Sequence, residues 1–209
     1  MDLFPIMVRL QSRKCVVVGA GEIAAAKTAT LLGCGAHVTV IAPHAADSVQ
    51  QQARAGALTW RCREFIPADL EGAFLVIAAT DSPAVNEEVF RAGKQRGVLC
   101  NVVDDPEHCD FYYPAVMHRG GLQIAISTGG HSPALAHRLR VELEQQFGPE
   151  YGEWVEQVGR ERRKILACDM SEDQRRELLE QIASREAYED FVRRRAAAAE
   201  KAGTTPAGR

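Results

Sequence analysis

The stretch NVVDDPEHCDF at residues 101–111 places carboxylates, a histidine and a cysteine within a few positions of one another, directly after Cys100. Side chains of these types bind metal ions, transfer protons or form polar turns, so their spacing must decide between the three. Cys100, His108 and Cys109 lack the second, separated pair of ligands that protein zinc sites use. We therefore predict no protein metal site here and interpret Cys100 as a core residue. The roles of His108 and Cys109 stay open.

A second stretch suited to chemistry is VVVGAGEIAAAK, which contains Gly19, Gly21 and Ala24 in the spacing G-x-G-x-x-A. A β-branched run precedes it and helix-forming residues follow it, which is the context of a dinucleotide-binding loop. The first glycine permits the tight turn, the second lets the backbone approach a pyrophosphate, and the alanine lets the helix pack closely on the strand. We predict that a nucleotide cofactor contacts Gly19, Ala20, Gly21, Glu22, Ile23 and Ala24.

The second strand of such a fold usually ends in an acid that binds the ribose of NAD, but here the run VTVIAPHAAD offers Ala42, Pro43 and His44. Backbone groups can replace the acid, and His44 is able to meet a 2′-phosphate. The sequence therefore favours NAD and leaves NADP as the alternative. In the later run AATDSPAVN, Thr80 and Asp81 either line the nucleotide or cap the next helix. The cofactor contacts predicted at these further strand ends are Pro43, His44, Thr80, Asp81, Asn101 and Val102.

The elements that position these residues follow from the alternation of apolar runs with helix-forming segments. The runs KCVVVGA, AHVTVIAP, LTWRCREF, AFLVIAAT and VLCNVVD predict strands. The segments between them predict helices, including one that Ser82 caps with Pro83 at its first position. Strands that alternate with helices predict an α/β fold built on a Rossmann-like parallel sheet.

The pattern changes beyond this region. The run FYYPAVMHRGGLQIAIST predicts an antiparallel hairpin about HRGG, and the chain reads as helical from Ser132 onward. We therefore predict a nucleotide-binding domain at 1–113, a small hairpin-plus-helix segment at 114–147 and a helical domain at 148–209. The last residues, GTTPAGR, are predicted to form a disordered tail.

Composition narrows the class of protein. The chain has 209 residues, a formal net charge of -3 and a pI of about 6.1, without the basic excess of a nucleic-acid binder. Its N-terminal run MDLFPIMVRLQSRK lacks the features of a signal peptide, and no apolar run is long enough to span a bilayer. The six cysteines form no CxxC pair and indicate reduced thiols. We expect a cytoplasmic protein that binds neither nucleic acid nor membrane.

Four motifs in order resemble those of the precorrin-2 dehydrogenase family, the sirohaem-synthase N-terminal type of enzyme. They are LFPIMVRLQSRKCVVVGAGEIAAAKTATLL, VIAATDSPAVN, CNVVDDPEHCDFYYPAV and IAISTGGHSPALAHRLR, and the resemblance covers about residues 3–150. It implies oxidation of precorrin-2 to sirohydrochlorin with NAD and, in some members, insertion of ferrous iron to give sirohaem. It also implies a homodimer that exchanges strands through the 114–147 segment, and a stand-alone form without a methyltransferase domain.

The resemblance assigns a role to the opening stretch. The family's essential aspartate falls on the first acid after NVV, which is Asp104, and Asp105 is interpreted as a turn residue before Pro106. Asp104 is predicted to accept a proton during dehydrogenation, and the same carboxylate would serve iron insertion because the macrocycle supplies the metal's nitrogen ligands. The carboxylates of the substrate are predicted to bind the turn Ser127, Thr128, Gly129, Gly130 and His131, which precedes a helix N-terminus.

Two other functions remain as alternatives. A non-enzymatic nucleotide-sensing module would share the glycine loop but would have no use for NVVDDP or ISTGGHSP. A chelatase without a redox step would have no use for the glycine loop.

Overall fold

The computed structural model describes the backbone of residues 3–203 and the side chains as far as residue 198. Residues 204–209 of the predicted tail lie outside the described residues. The chain divides into two compact units, one of Phe4–Tyr113 and one that combines Leu3 with the residues from Pro114 onward. Within the described residues, no helix combines the length and the apolar character needed to cross a membrane.

The first unit is built on a five-stranded parallel sheet with the order β3-β2-β1-β4-β5. The strands are β1 (Lys14–Val18), β2 (His37–Ile41), β3 (Thr59–Arg61), β4 (Leu75–Ala78) and β5 (Leu99–Val102). The order reverses between β1 and β4, which is the topological switch point where doubly wound folds bind ligands. The predicted α/β fold with a Rossmann-like sheet is therefore confirmed.

Three helices connect these strands: α1 (Glu22–Gly33), α2 (Asp47–Arg54) and α3 (Pro83–Arg96). The predicted cap of α3 is confirmed, because the Ser82 hydroxyl accepts a hydrogen bond from the Val85 amide and Pro83 is the first helical residue. Two short 3₁₀ segments are also present: Pro67–Leu70 lies between β3 and β4, and Pro106–His108 follows β5.

The core of this unit lies on both faces of the sheet, because successive side chains of a strand point in opposite directions. Val17 and Val40 belong to the cluster on one face, and Val16 and Val76 belong to the cluster on the other. All four side chains are fully buried. This double burial explains why the strands read as continuous apolar runs rather than as alternating ones.

The third strand is shorter than predicted, and a buried carboxylate explains its end. The sequence predicted a strand over 58–65, whereas β3 stops at Arg61. Asp69 accepts hydrogen bonds from Arg61 at 2.5 Å, from both terminal nitrogens of Arg63, and from the Ile66 amide at 3.0 Å. These bonds pull the chain away from the sheet and fold it into the Pro67–Leu70 segment.

Replacing Asp69 with alanine is expected to destabilise this unit by about 2–3 kcal/mol. The Asp69 side chain is 1% exposed, and its loss leaves the charges of two arginines without their buried partner. Urea denaturation should reveal the loss. The control is Asp173→Ala, which breaks an ion pair whose carboxylate is 87% exposed and should cost less than about 0.5 kcal/mol. Equal losses in the two variants would contradict this account of Asp69.

The same carboxylate predicts an acid-sensitive contribution to folding. Burial alone would raise the pKa of Asp69, but hydrogen bonds from Arg63, the Ile66 amide and Arg61 outweigh it and lower the pKa to about 2. Because the folded pKa lies below the ordinary 3.8, the stabilisation is complete above that value and is lost as pH falls through about 2.

The second unit contains a hairpin and four helices. Strands β6 (Ala115–Arg119) and β7 (Leu122–Ile126) pair antiparallel, and α4 (Pro133–Gln146), α5 (Glu150–Ala167), α6 (Glu172–Ile182) and α7 (Arg185–Gly203) follow. The hairpin turns at Gly120 and Gly121, within the predicted HRGG turn. Its first glycine has φ of 56° and lies against Gly152 of α5, where an added Cβ would come within 3.0 Å of the Cα atom.

Candidate active site

The glycine loop lies between β1 and α1, at the carboxyl edge of the sheet. Gly19 has φ of +102°, and a Cβ atom there would lie 2.1 Å from the carbonyl oxygen of Ala79, just beyond β4. Its amide also donates a hydrogen bond to the Ile41 carbonyl at 2.9 Å. Three neighbouring strand ends therefore converge on a position that only glycine can occupy.

Gly21 opens α1 and faces free space. Within the described part of the chain, a Cβ atom built on it meets no heavy atom within 4 Å, and no side chain caps the first amides of the helix. Ala24, one turn later, is 1% exposed and packs in the core against the sheet. Uncapped amides at a helix N-terminus attract an anion, and this loop leaves them accessible. The residues present thus fit the pyrophosphate of a dinucleotide.

The end of β2 carries two exposed residues, Pro43 and His44, at the place where the ribose of a dinucleotide is expected. The arginines of the adjacent β3 edge are not free to meet a 2′-phosphate, because Arg61 and Arg63 both bind Asp69. This arrangement favours NAD over NADP, in agreement with the sequence-based preference. The predicted contacts of Pro43 and His44 with the cofactor stay predictions.

The turn after β4 has its own internal hydrogen bonds. The Thr80 hydroxyl donates to the Asn86 side-chain oxygen at 2.7 Å and lies 3.2 Å from the Ser82 carbonyl oxygen. The Asn86 amide donates back to the Thr80 carbonyl at 3.1 Å. The side chain of Thr80 therefore holds the start of α3, while Asp81 is exposed. A nucleotide contact through either residue stays a prediction.

The loop after β5 separates the two neighbouring acids. Asp104 is exposed and has φ of 62°, a left-handed conformation that few residues other than glycine adopt. Among the side chains described, its carboxylate has no hydrogen-bond or ion-pair partner. The Asp105 carboxylate instead lies 2.6 Å from Nδ1 of His108. Only Asp104 thus presents a free carboxylate.

Cysteine and asparagine side chains close this loop from within. The Asn101 amide donates to the Phe111 carbonyl at 2.8 Å and lies 3.3 Å from Sγ of Cys109. That thiol donates towards the carbonyls of Val102 and Asp105, each at 3.2 Å. Burial raises the pKa of the Cys109 thiol, so it stays protonated and serves the turn. The predicted cofactor contacts of Asn101 and Val102 stay predictions.

A cavity of about 190 Å³ lies against the loop. Its lining residues are Lys27, Asn101, Val102, Val103, Asp104, Asp105, Pro106, Cys109, Tyr112 and Tyr113. Nothing local in the sequence distinguishes Lys27, Tyr112 and Tyr113 from an ordinary helix lysine and two tyrosines before a hairpin, so they were not among the predicted site residues. Their position beside Asp104 depends on how α1 and the residues after the loop pack together.

Lys27 is the one cation among the residues that line this cavity. Its Nζ atom lies 3.6 Å from the centroid of the Tyr113 ring. Within the part of the chain whose side chains are described, Nζ has no hydrogen-bond acceptor or ion-pair partner. Burial lowers the pKa of Lys27, and the negative charge of Asp104 partly offsets that effect. Lys27 therefore offers unused N–H donors to a ligand.

The turn predicted to bind the substrate lies in the second unit, between β7 and α4. The Ser127 hydroxyl accepts from the Gly129 amide at 3.2 Å, and the Thr128 hydroxyl accepts from the Ser132 amide at 3.1 Å. Ser132 caps α4 through the Leu135 amide. Gly129 and Gly130 have φ of 61° and 85°. The turn is therefore formed by its own residues, and its predicted contact with substrate, including that of His131, stays a prediction.

Comparisons with known proteins bear on both units. A family model for NAD(P)-binding domains matches residues 6–115, and a model for the central part of sirohaem biosynthesis proteins matches residues 119–146. A siroheme synthase of Photorhabdus laumondii is 41% identical over 87% of this chain and 38% of that protein. A siroheme synthase of Methylococcus capsulatus is 39% identical over 90% of this chain and 38% of that protein.

The chain thus spans well under half the length of the curated relatives that it matches. A solved structure of SirC, a precorrin-2 dehydrogenase, matches over more of both chains. It has a TM-score of 0.76 and 28% sequence identity, and the match covers 92% of this chain and 98% of that one. The likeness to SirC therefore extends over both units of this chain.

Proposed function

This chain belongs to the NAD(P)-binding family of precorrin-2 dehydrogenases and sirohaem synthases, and from that premise we propose that it oxidises precorrin-2 to sirohydrochlorin with NAD. The family models that match both parts of the chain support the proposal, as do the siroheme synthase relatives and the likeness to SirC. The single observation that carries it is the free carboxylate of Asp104 in a cavity at the carboxyl edge of a nucleotide-binding sheet.

The reaction removes one hydride and one proton from the reduced tetrapyrrole. NAD, when bound, supplies the hydride acceptor. Gly19, Gly21 and the first amides of α1 would hold its pyrophosphate, as their backbone geometry permits. Asp104 accepts the proton, because its carboxylate has no partner among the described side chains, whereas the neighbouring carboxylate of Asp105 is already bonded to His108.

The substrate carries several carboxylates, so its binding site needs cations and free N–H groups. Lys27 meets this need in the cavity that contains Asp104, since its amine has no partner within the described side chains. In the second unit, the Ser127–His131 turn precedes α4, and its contact with the substrate stays a prediction. We assign Lys27 to a substrate carboxylate.

Lys27→Met is expected to raise the KM for precorrin-2 about tenfold, while kcat falls less. The lost ion pair binds the substrate equally in the ground state and in the transition state. Steady-state kinetics at saturating NAD would measure both constants. Lys27→Arg is the matched control, since it keeps the positive charge and should retain most of the affinity. A methionine variant with an unchanged KM would remove Lys27 from the substrate site.

The activity itself is tested by mixing the protein with NAD and precorrin-2 and following NADH and sirohydrochlorin by absorbance. Both products should form in equal amounts, and omission of NAD should abolish both. A nucleotide-sensing module would bind NAD without turnover, and this outcome would overturn the dehydrogenase. Insertion of ferrous iron by the same carboxylate stays a prediction, tested by adding iron to sirohydrochlorin with and without protein.

We further infer that the active protein is a homodimer in the cytoplasm. The β6–β7 hairpin supports the first inference, because a two-stranded sheet is only marginally stable alone and gains from added strands. The cysteines support the second, since all six are free thiols, as is usual in a reducing compartment. Light scattering of the purified protein would test the dimer, and a monomer at working concentration would contradict it.

A further inference from the structure

We propose that His108 is a positioning residue, which clamps the loop that carries Asp104 to helix α3 by binding one carboxylate at each ring nitrogen. Its Nδ1 atom lies 2.6 Å from an Asp105 oxygen, and its Nε2 atom lies 3.3 Å from a Glu87 oxygen. Asp105 belongs to the loop and Glu87 to α3, so the imidazole joins the two elements. The catalytic consequence of this clamp rests on the proposed function of Asp104.

Packing holds the ring in this orientation. The Phe90 ring of α3 meets the His108 ring edge to face, with 4.4 Å between the centroids. The His108 side chain is 30% exposed, and Asp105 and Glu87 are each 42% exposed. The ring is thus fixed on one side by an aromatic contact and at its two nitrogens by carboxylates. This arrangement distinguishes His108 from a free surface histidine and from a metal ligand.

The two contacts require the protonated ring. An imidazolium has an N–H at both nitrogens, so it donates to Asp105 and to Glu87 at once. A neutral imidazole has one N–H, and its other nitrogen then turns a lone pair towards a carboxylate. Loss of the proton therefore breaks one of the two contacts and leaves a repulsion in its place.

The surroundings favour the protonated form. The hydrogen bond to Asp105 is the main reason that the pKa of His108 is raised; burial acts in the opposite direction, and the charges of Asp105, Glu87 and Glu107 add to the increase. Because the folded pKa lies above the ordinary value, the clamp is complete at low pH and is lost as pH rises through the folded pKa.

Other charged groups form their own ion pairs beside this contact. On α3, Arg91 lies 3.2 Å from the second oxygen of Glu87, and Lys94 pairs with Asp110 at the far end of the loop. Asp110 also accepts a hydrogen bond from the Cys100 amide at 3.0 Å. The end of the loop thus stays tethered when His108 loses its proton, and only the part beside Asp104 is released.

The released part is the one under strain. Asp104 keeps a left-handed backbone, and such a conformation persists where its surroundings constrain it. Asp105, the next residue, is held by His108. Deprotonation of His108 is therefore expected to increase the spread of positions of the Asp104 carboxylate and to lower kcat more than NAD affinity, because proton transfer depends on the placement of that group.

Titration of His108 by NMR tests the clamp without reference to catalysis. Its ring signals, assigned by their loss in His108→Gln, should titrate above the ordinary histidine pKa of about 6.5 and move towards it in Glu87→Gln and Asp105→Asn. The exposed His37 at the opposite edge of the sheet is the internal control and should not respond to these substitutions. A His108 that titrates at or below the ordinary value, or ignores both substitutions, overturns the proposal.

The pH profile of the dehydrogenase tests the consequence. At pH values below the His108 pKa, His108→Gln should lower kcat about 3- to 10-fold relative to wild type. Above that pKa the two proteins should agree within about twofold, so the variant's profile lacks one alkaline step. His37→Gln should keep that step. If the wild-type pH profile of kcat has an alkaline step and His108→Gln still shows it, the positioning role is overturned. A wild-type protein inactive at every pH would instead reject the proposed function, and the NMR titration would still decide the clamp.

Discussion

Asp104→Asn is expected to lower kcat for precorrin-2 oxidation by about 10²- to 10⁴-fold, the usual contribution of a positioned general base. Asparagine is the appropriate replacement because, like aspartate, it tolerates the left-handed backbone at this position, where φ is 62°. The fold and the affinity for NAD should therefore stay unchanged. Single-turnover measurements at saturating NAD would separate the chemical step from binding.

Asp105→Asn is the matched control for this experiment. The two acids are adjacent in the chain, but the Asp105 carboxylate binds His108 whereas that of Asp104 has no partner among the described side chains. The control should therefore lower kcat only a few-fold, by weakening the His108 clamp. If Asp104→Asn kept activity within a few-fold of wild type while Asp105→Asn lost it, the proton acceptor would have been assigned to the wrong residue.

Gly21→Ala is expected to weaken NAD binding at least tenfold and to leave the stability of the protein nearly unchanged. Its backbone is not in a glycine-only conformation, and the added Cβ meets no protein atom within 4 Å, so the fold accepts it. The space that the methyl group fills is where the backbone would approach a pyrophosphate. Calorimetric titration with NAD and thermal unfolding would measure the two effects separately.

Gly19→Ala is expected to fail differently. Its φ of +102° and the 2.1 Å approach of a Cβ to the Ala79 carbonyl oxygen force β1 and β4 apart, so stability should fall by about 3 kcal/mol or more. Gly33→Ala, at the end of the same helix and with free space around its Cβ, is the control and should be neutral in both measurements. A Gly21→Ala protein that binds NAD as wild type does would contradict the nucleotide site.

The architecture of the first unit could be predicted from the sequence because it is encoded locally. Continuous apolar runs predict strands buried on both faces, and the cap formed by Ser82 and Pro83 marks the start of a helix. The prediction was less accurate where a distant side chain intervenes. β3 ends at Arg61 because Asp69, which belongs to a different segment, binds Arg61, the last residue of the strand, and Arg63 just beyond it.

For the site, the sequence predicted the glycine loop and the importance of the 101–111 stretch. It did not determine what each polar residue of that stretch does. The structure bonds Asp105 to His108, leaves Asp104 without a partner among the described side chains, and uses Cys109 to close the turn. Asp104 and Asp105 are the same residue type and adjacent in the chain, yet they have different roles. Those roles depend on the direction that each side chain takes from a strained backbone.

The sequence by itself therefore determined the order of strands and helices along the chain and the nucleotide loop, since both depend on residue type, period and short spacing. The resemblance to the precorrin-2 dehydrogenase family added the expectation of a catalytic acid at Asp104. Only the tertiary structure decided which groups surround that acid. Lys27 from α1, Tyr113 from beyond the loop and Glu87 from α3 meet the 104–108 segment through packing of elements far apart in the chain. Such contacts leave no periodic trace in the sequence, because a helix lysine or glutamate satisfies the same local pattern whether it faces water or a cavity.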